Sequence, residues 1–252
     1  MTDTAIILTA FGTSTEARTT YAFFEAQAHE RFPQHDILWA YTSRTLRAKM
    51  AHQGIIWRSP EELLQDLPDR WYRRAVIQSL HIVPGREFEK LVAAAAHAPF
   101  PTAVGQPLLS CSADCIQVLD TLAANIADPA STITVLAGHG TPHHEARALY
   151  SEFARHLRKR YPENVHLCMV EGEPSWDETL KRLQKSALRR VRFVPFMFVA
   201  GDHIIHDVLG DGDSWASQLE GYEIEAPRSG LGFHQGIVEI YFQHMQDALN
   251  RL

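Results

Sequence analysis

The chain has 252 residues, 45% hydrophobic and 21% charged, and a net charge of −6. That suits one large α/β domain or two lobes of about 120 residues each, with cores that need no disulfides. Lysine and arginine are spread along the chain without a basic arm, which argues against nucleic acid as a partner.

The first predicted strand, Ala5 to Ser14, is an apolar run ending in a glycine turn at Gly12. A helix follows over 15–31 and stops at Arg31-Phe-Pro33, and a strand follows at 36–41. Ser59-Pro60-Glu61-Glu62 predicts a helix start, with Ser59 as cap, Pro60 at the first position and Glu62 closing a capping box. A continuous apolar strand runs from Arg73 toward Gly85, of the kind buried on both faces of a parallel sheet. A strand near 103–109 ends the half, and Ala127 to Ser131 reads as a linker.

The second half repeats the first. Ile133 to Pro142 has the same apolar-run-and-glycine shape, with Gly140 128 positions after Gly12. Its helix, 142–160, stops at Arg160-Tyr-Pro162, and a strand follows at 165–170. After a helix at 177–185, the strand from Arg189 to Gly201 parallels the one ending at Gly85. A strand near 223–227 and a helix at 235–251 complete the chain. Two matched pairs in one order predict a duplicated α/β protein: two doubly wound parallel sheets, over 1–127 and 128–252.

In open α/β sheets, ligands bind beyond the carboxyl ends of the strands. In the second half those ends carry His139, Glu171 and His203. A 2-1-3 strand order makes their strands neighbours, about 4.8 Å apart. Two imidazoles and a carboxylate are a workable shell for a divalent transition metal, with positions left open. The matching residues of the first half are Phe11, Thr42 and Glu87, so the expected ligands concentrate in one half, with Glu87 facing them across a cleft.

Other candidates are weaker. Gly138-His-Gly140 lacks the third glycine of a dinucleotide loop, where His143 stands. His143 and His144 read as exposed or capping helix-start residues, His81 as a core residue, and His206 as a residue without a metal role, with a spare ligand or an outer group as its alternative. Asp211-Gly-Asp213 is too short for a calcium loop, and no G-x-S-x-G is present. Cys111, Cys115 and Cys168 make no disulfide framework and read as reduced thiols. With no export-signal pattern and no apolar run of 18 residues, the expectation is a soluble, cytoplasmic protein without a membrane partner.

Phe11-Gly-Thr-Ser14, Gln78 to Gly85 with Glu87, Gly138-His-Gly140, Val170-Glu171, Val199 to His203 and Asp211 to Trp215 together resemble the anaerobic sirohydrochlorin cobaltochelatases, class II tetrapyrrole chelatases. The resemblance runs in one order from about residue 5 to 250. It implies two flavodoxin-like lobes facing a central tetrapyrrole cleft, with the last helix packed on the first lobe. It further implies a lyase that inserts a metal into sirohydrochlorin without ATP, in the anaerobic cobalamin pathway. Co²⁺ is then the metal substrate, no cofactor is obligatory, and Fe²⁺ or Ni²⁺ suit the same donors. His139, Glu171 and His203 are the implied metal ligands; His139, His203 and Glu87 are the implied catalytic groups.

The chemistry agrees. Insertion releases two pyrrole protons, and neutral imidazole both ligates a metal and accepts a proton. Phe11, Gly12, Thr13, Ser14, Met197 and Leu231 are expected to contact the macrocycle, with Phe196 and Phe198 as further wall residues. Arg44, Arg47, Arg86 and Lys90 are candidates for its carboxylates. Iron insertion to give sirohaem and a non-catalytic metal or tetrapyrrole carrier stay open, as does a homo-oligomer.

Overall fold

The computed structural model describes residues 3–252. Its elements, in chain order, begin with β1 (Thr4–Ala10), α1 (Thr19–Arg31), β2 (Ile37–Tyr41), α2 (Arg44–His52) and α3 (Pro60–Asp66). Next come β3 (Arg74–Ser79), α4 (Arg86–Ala96), β4 (Thr102–Gly105), α5 (Ser112–Leu122), β5 (Ile133–Gly140) and α6 (His144–Arg160). The chain continues with β6 (Val165–Glu171), α7 (Trp176–Lys185), β7 (Arg190–Phe196), β8 (Glu223–Glu225) and α8 (Gln235–Leu249). Among the described residues, no helix is long and apolar enough to cross a membrane.

The strands form two parallel four-stranded sheets, ordered β2-β1-β3-β4 and β6-β5-β7-β8. The order is the same in both, with the first strand of each half flanked by its second and third, as the 2-1-3 expectation requires. The repeat extends to the backbone. Gly12 and Gly140, which follow or end the first strand of each half, have φ of +109° and +90°. The predicted capping box is present: Ser59 N–H donates to Glu62 Oε2 at 2.7 Å and Glu62 N–H to Ser59 Oγ at 3.2 Å.

Two compact units result. One holds residues up to Ser110 together with Gly232–Leu252; the other is Cys111–Leu231. In the first, β1 and β3 supply buried Ala5, Ile7, Ala75 and Ile77, against Leu63, Leu64 and Leu91 from α3 and α4. Helix α8 belongs here, packing on β3, β4 and α1. Ile237, Val238, Tyr241, Phe242, Met245 and Ala248 recur at helical spacing and are all buried, each large side chain contributing about 1.5–3 kcal/mol. Phe242 meets Phe24 at 5.2 Å and Phe32 at 5.6 Å between ring centres. The second unit's core is built on Val135, Val191 and Phe193, with Trp176 and Trp215 stacked 5.0 Å apart.

One expectation needs correction, and the two halves differ at one further point. The boundary drawn at the Ala127–Ser131 linker lies instead at 110/111, because α5 packs on α6 through its apolar face and so counts with the second unit. The second half also lacks a regular third helix. Where the first half has α4, it has a π turn at Ile204–Val208 and a short 3₁₀ turn at Ala216–Gln218. A β-branched pair at Ile204-Ile205 and glycines at 210 and 212 are poor material for a longer helix.

Two histidines are held neutral. Burial pushes His166 in β6 down to about 4, aided by the Arg182 charge. Burial likewise takes His81 to about 4, Glu87 partly opposing the effect and Lys90 adding to it. Both folded-state values lie below the unfolded one, about 6.5. The unfolded chain therefore binds protons first as pH falls, and stability present above pH 6.5 is lost progressively toward about pH 4. Urea midpoints measured from pH 7.5 to 4.5 are expected to fall in that window, with a shallower slope for His166→Thr. An unchanged slope would refute the assignment of His166.

Candidate metal centre

β5 and β7 are adjacent, paired from Ile133↔Val191 to Gly138↔Phe196. His139 is the next-to-last residue of β5 and is half-buried. Beyond β7 the chain runs to His203, which caps the π turn. The two rings meet edge to face, with centres 4.4 Å apart at 90°. Each turns its Nδ1 to an acceptor. His139 Nδ1 lies 3.2 Å from the Gly140 carbonyl oxygen, and His203 Nδ1 lies 2.6 Å from Asp207 Oδ2. A carbonyl or an ionised carboxylate only accepts, so Nδ1 carries the hydrogen in each bond and the Nε2 lone pair is left for a metal.

Glu171 does not complete a cluster. It ends β6, exposed, in register with Gly140 rather than with His139. Alternation sends side chains of successive register positions to opposite faces of a sheet, so its carboxylate leaves on the other side from the His139 imidazole. Among the described residues, no three His, Cys, Asp and Glu side chains lie close enough together to hold a metal ion. The structure thus assembles a pair where a trio was expected.

Beside the pair lies an open depression of about 500 Å³, walled by Val170, His206, Asp207, Asp211, Asp213 and Trp215 among others. Its three aspartates set a negative potential that favours cations. A second cavity of about 210 Å³, lined from α6, β6 and α7, touches none of the candidate residues. Asp207 was missed in the sequence, although its four-residue spacing from His203 was a usable signal.

The first-unit candidates are placed as follows. Phe11 is half-exposed just beyond β1. Thr13 is buried and bonded to Thr15, and Ser14 accepts from Lys49 Nζ at 2.9 Å. Gly12 leaves room for Trp57, whose ring would lie 3.1 Å from a Cβ. Glu87, at the start of α4, accepts from Lys90 Nζ at 2.6 Å. Burial raises the Glu87 pKa, but Lys90, Thr42 and His81 together outweigh it and hold the carboxyl below its ordinary value. An ionised, weakly basic Glu87 is a charge rather than a ready proton acceptor at neutral pH.

Several expected substrate contacts are engaged in packing instead. Phe196 and Met197 are buried in the second unit, Phe196 stacked on Phe153 at 4.8 Å. Phe198 and Leu231 are buried too. Leu231 N–H is bonded to the Met197 carbonyl at 2.8 Å. These four residues pack the interior because the end of β7 is still under cover. Arg47 pairs with Glu62 at 3.1 Å and Lys90 with Glu87, which leaves Arg44 and Arg86 as exposed cations. Cys111, Cys115 and Cys168 are free thiols, and burial pushes Cys115 and Cys168 up to about 12, far from thiolate ligands.

Residues 4–250 match the family model described as cobalt chelatase (CbiK). The sirohydrochlorin cobaltochelatase CbiKC of Nitratidesulfovibrio vulgaris is 32% identical, over 100% of this chain and 93% of its own length. The sirohydrochlorin cobaltochelatase of Salmonella typhimurium is also 32% identical, over 98% and 96%. Among solved structures, SirB from Bacillus subtilis with Fe³⁺ shares the fold. Its TM-score is 0.66 at 15% identity, over 98% of this chain and 96% of that one.

Proposed function

The chain belongs to the cobalt chelatase (CbiK) family, and from that premise we propose that it is a metal chelatase inserting Co²⁺ into sirohydrochlorin, with His139 and His203 as the metal-handling pair. What supports the assignment of the pair is one contact: two imidazoles edge to face at 4.4 Å, each with Nδ1 engaged and Nε2 left for the cation. Two nitrogen ligands leave most of the coordination shell to water and then to pyrrole nitrogens. A closed four-ligand site would retain the metal.

In this reading the hydrated cation is drawn by Asp211 and Asp213 beside the pair and binds the two Nε2 atoms. As the macrocycle takes the metal, its two pyrrole N–H bonds break and its four nitrogens bond to cobalt in place of the imidazole and water ligands. The imidazoles, released from the metal, accept the two protons. Glu87 contributes charge, and its replacement by glutamine acts on rate rather than on Co²⁺ affinity.

The test is insertion of Co²⁺, Fe²⁺ and Ni²⁺, one at a time, into metal-free sirohydrochlorin, followed by absorbance. Cobalt is expected to give the highest kcat/KM, without ATP. Faster iron insertion would assign sirohaem synthesis instead, and binding of metal and tetrapyrrole without turnover would make the protein a carrier.

A further inference from the structure

His203 is held by more than its own backbone. Its Nδ1 lies 2.6 Å from Asp207 Oδ2, one turn along the chain. The turn is wound as a π turn, closed by Leu209 N–H donating to the Ile204 carbonyl at 3.1 Å. Ile204 and Val208 anchor it, both buried. Asp207 itself is fixed from the other side. Its carbonyl accepts the Trp215 N–H at 3.0 Å, and Trp215 is stacked on Trp176 in the core. Gly210 permits the close return of this loop, since a Cβ there would lie 2.5 Å from the His206 carbonyl oxygen. The Asp211-Gly-Asp-Ser-Trp215 segment thus holds the backbone of Asp207 in place.

We infer that Asp207 is the positioning residue of the metal centre, its carboxylate accepting the His203 Nδ1–H so that Nε2 faces the cation as a ligand. The inference rests on the proposed role of His203 and adds a group to it. Carboxylate–imidazole–metal arrangements fix the ring orientation and raise the basicity of the ligating nitrogen, and loss of the outer group costs about 10–100-fold in metal affinity or activity. His139 has only a carbonyl in the corresponding place, 3.2 Å away. The two imidazoles are therefore unequal, and His203 is the stronger donor.

Both side chains are near 40% exposed or more, so the pair adds little to folding stability. The Trp215 bond is made by backbone and survives substitution. Calorimetric titration of the full chain with Co²⁺ alone is the test, on wild type, Asp207→Asn, Asp207→Ala, His203→Ala and the double variant His203→Ala/Asp207→Ala. Asp207→Ala is expected to weaken Co²⁺ binding about 10–100-fold. Asp207→Asn, which keeps an acceptor oxygen without the charge, is expected to lie between Ala and wild type. Binding of metal-free sirohydrochlorin stays unchanged, which a general structural defect would not allow. In the His203→Ala background the Asp207→Ala change adds no further loss, because the two residues act as one unit. An equal loss in both backgrounds would show that Asp207 acts independently of His203 and overturn the inference. If His203→Ala weakens Co²⁺ binding while Asp207→Ala leaves it intact, the positioning role alone falls. If neither variant changes it, the proposed site falls with it.

Discussion

His139→Ala and His203→Ala are each expected to lose about 10²–10⁴ in insertion rate, the range seen when a positioned proton-transfer group is removed. Each imidazole acts twice in the proposed reaction, as ligand and as proton acceptor, and no neighbour substitutes for either role. The fold is expected to survive. His139 is a half-buried residue at the end of a strand whose first six residues are all buried, and His203 caps a turn whose anchors are Ile204 and Val208. Circular dichroism is therefore expected to match wild type, and urea-derived stability to stay within about 0.5 kcal/mol, the usual scale for substitutions outside the core. The rate loss with fold retained is the informative combination. Near wild-type rates in both variants would show that the pair is not the site.

Gly140→Ala is expected to do more harm than Gly12→Ala, although the two glycines occupy matching places. Both have positive φ, where an L-residue is strained by about 1–2 kcal/mol. They differ in what a Cβ would meet. At Gly12 it would meet the end of the Trp57 ring at 3.1 Å, a side-chain contact only a few tenths of an ångström too tight. At Gly140 it would fall within van der Waals contact of the Glu171 backbone carbonyl, which belongs to the paired strand and is not free to move. A destabilisation of about 2–4 kcal/mol is expected for Gly140→Ala, against about 1–2 kcal/mol for Gly12→Ala. The shift also disturbs the strand ends that carry His139 and Glu171, so Co²⁺ affinity is expected to fall in Gly140→Ala alone. Equal urea midpoints would refute the argument.

Much of this architecture was legible because its signals are local and periodic. The apolar runs at Ile133 and Arg189, the proline stops after Arg31 and Arg160 and the Ser59–Glu62 box each carry their own physical reason. The repeat then supplied the topology, and the topology brought His139 and His203 to neighbouring strand ends. What sequence did not reveal depends on a single residue step or on distant packing. Glu171 misses the pair because its strand is registered on Gly140, and a one-residue register is invisible in an apolar run. Phe196, Met197 and Leu231 look like aromatic and aliphatic walls in sequence, but whether an apolar side chain lines a slot or fills a core is decided by what covers it. Placing α5 in the second unit was likewise a matter of which helix it packs on.

The first unit is discontinuous, and this has a consequence for synthesis. Its sheet is complete once β4 has been made, yet the apolar faces of α1, β3 and β4 wait for α8, more than a hundred residues later. The intervening Cys111–Leu231 is contiguous and carries its whole core with it. On the ribosome, the order of maturation is thus the reverse of the order of translation. The later unit closes first, while Phe24 and Phe32 stay bare until Tyr241 and Phe242 emerge. At an elongation rate of about 5–20 residues per second, that interval lasts about 10–40 s. It makes the nascent first unit, rather than the finished enzyme, the natural client of chaperones.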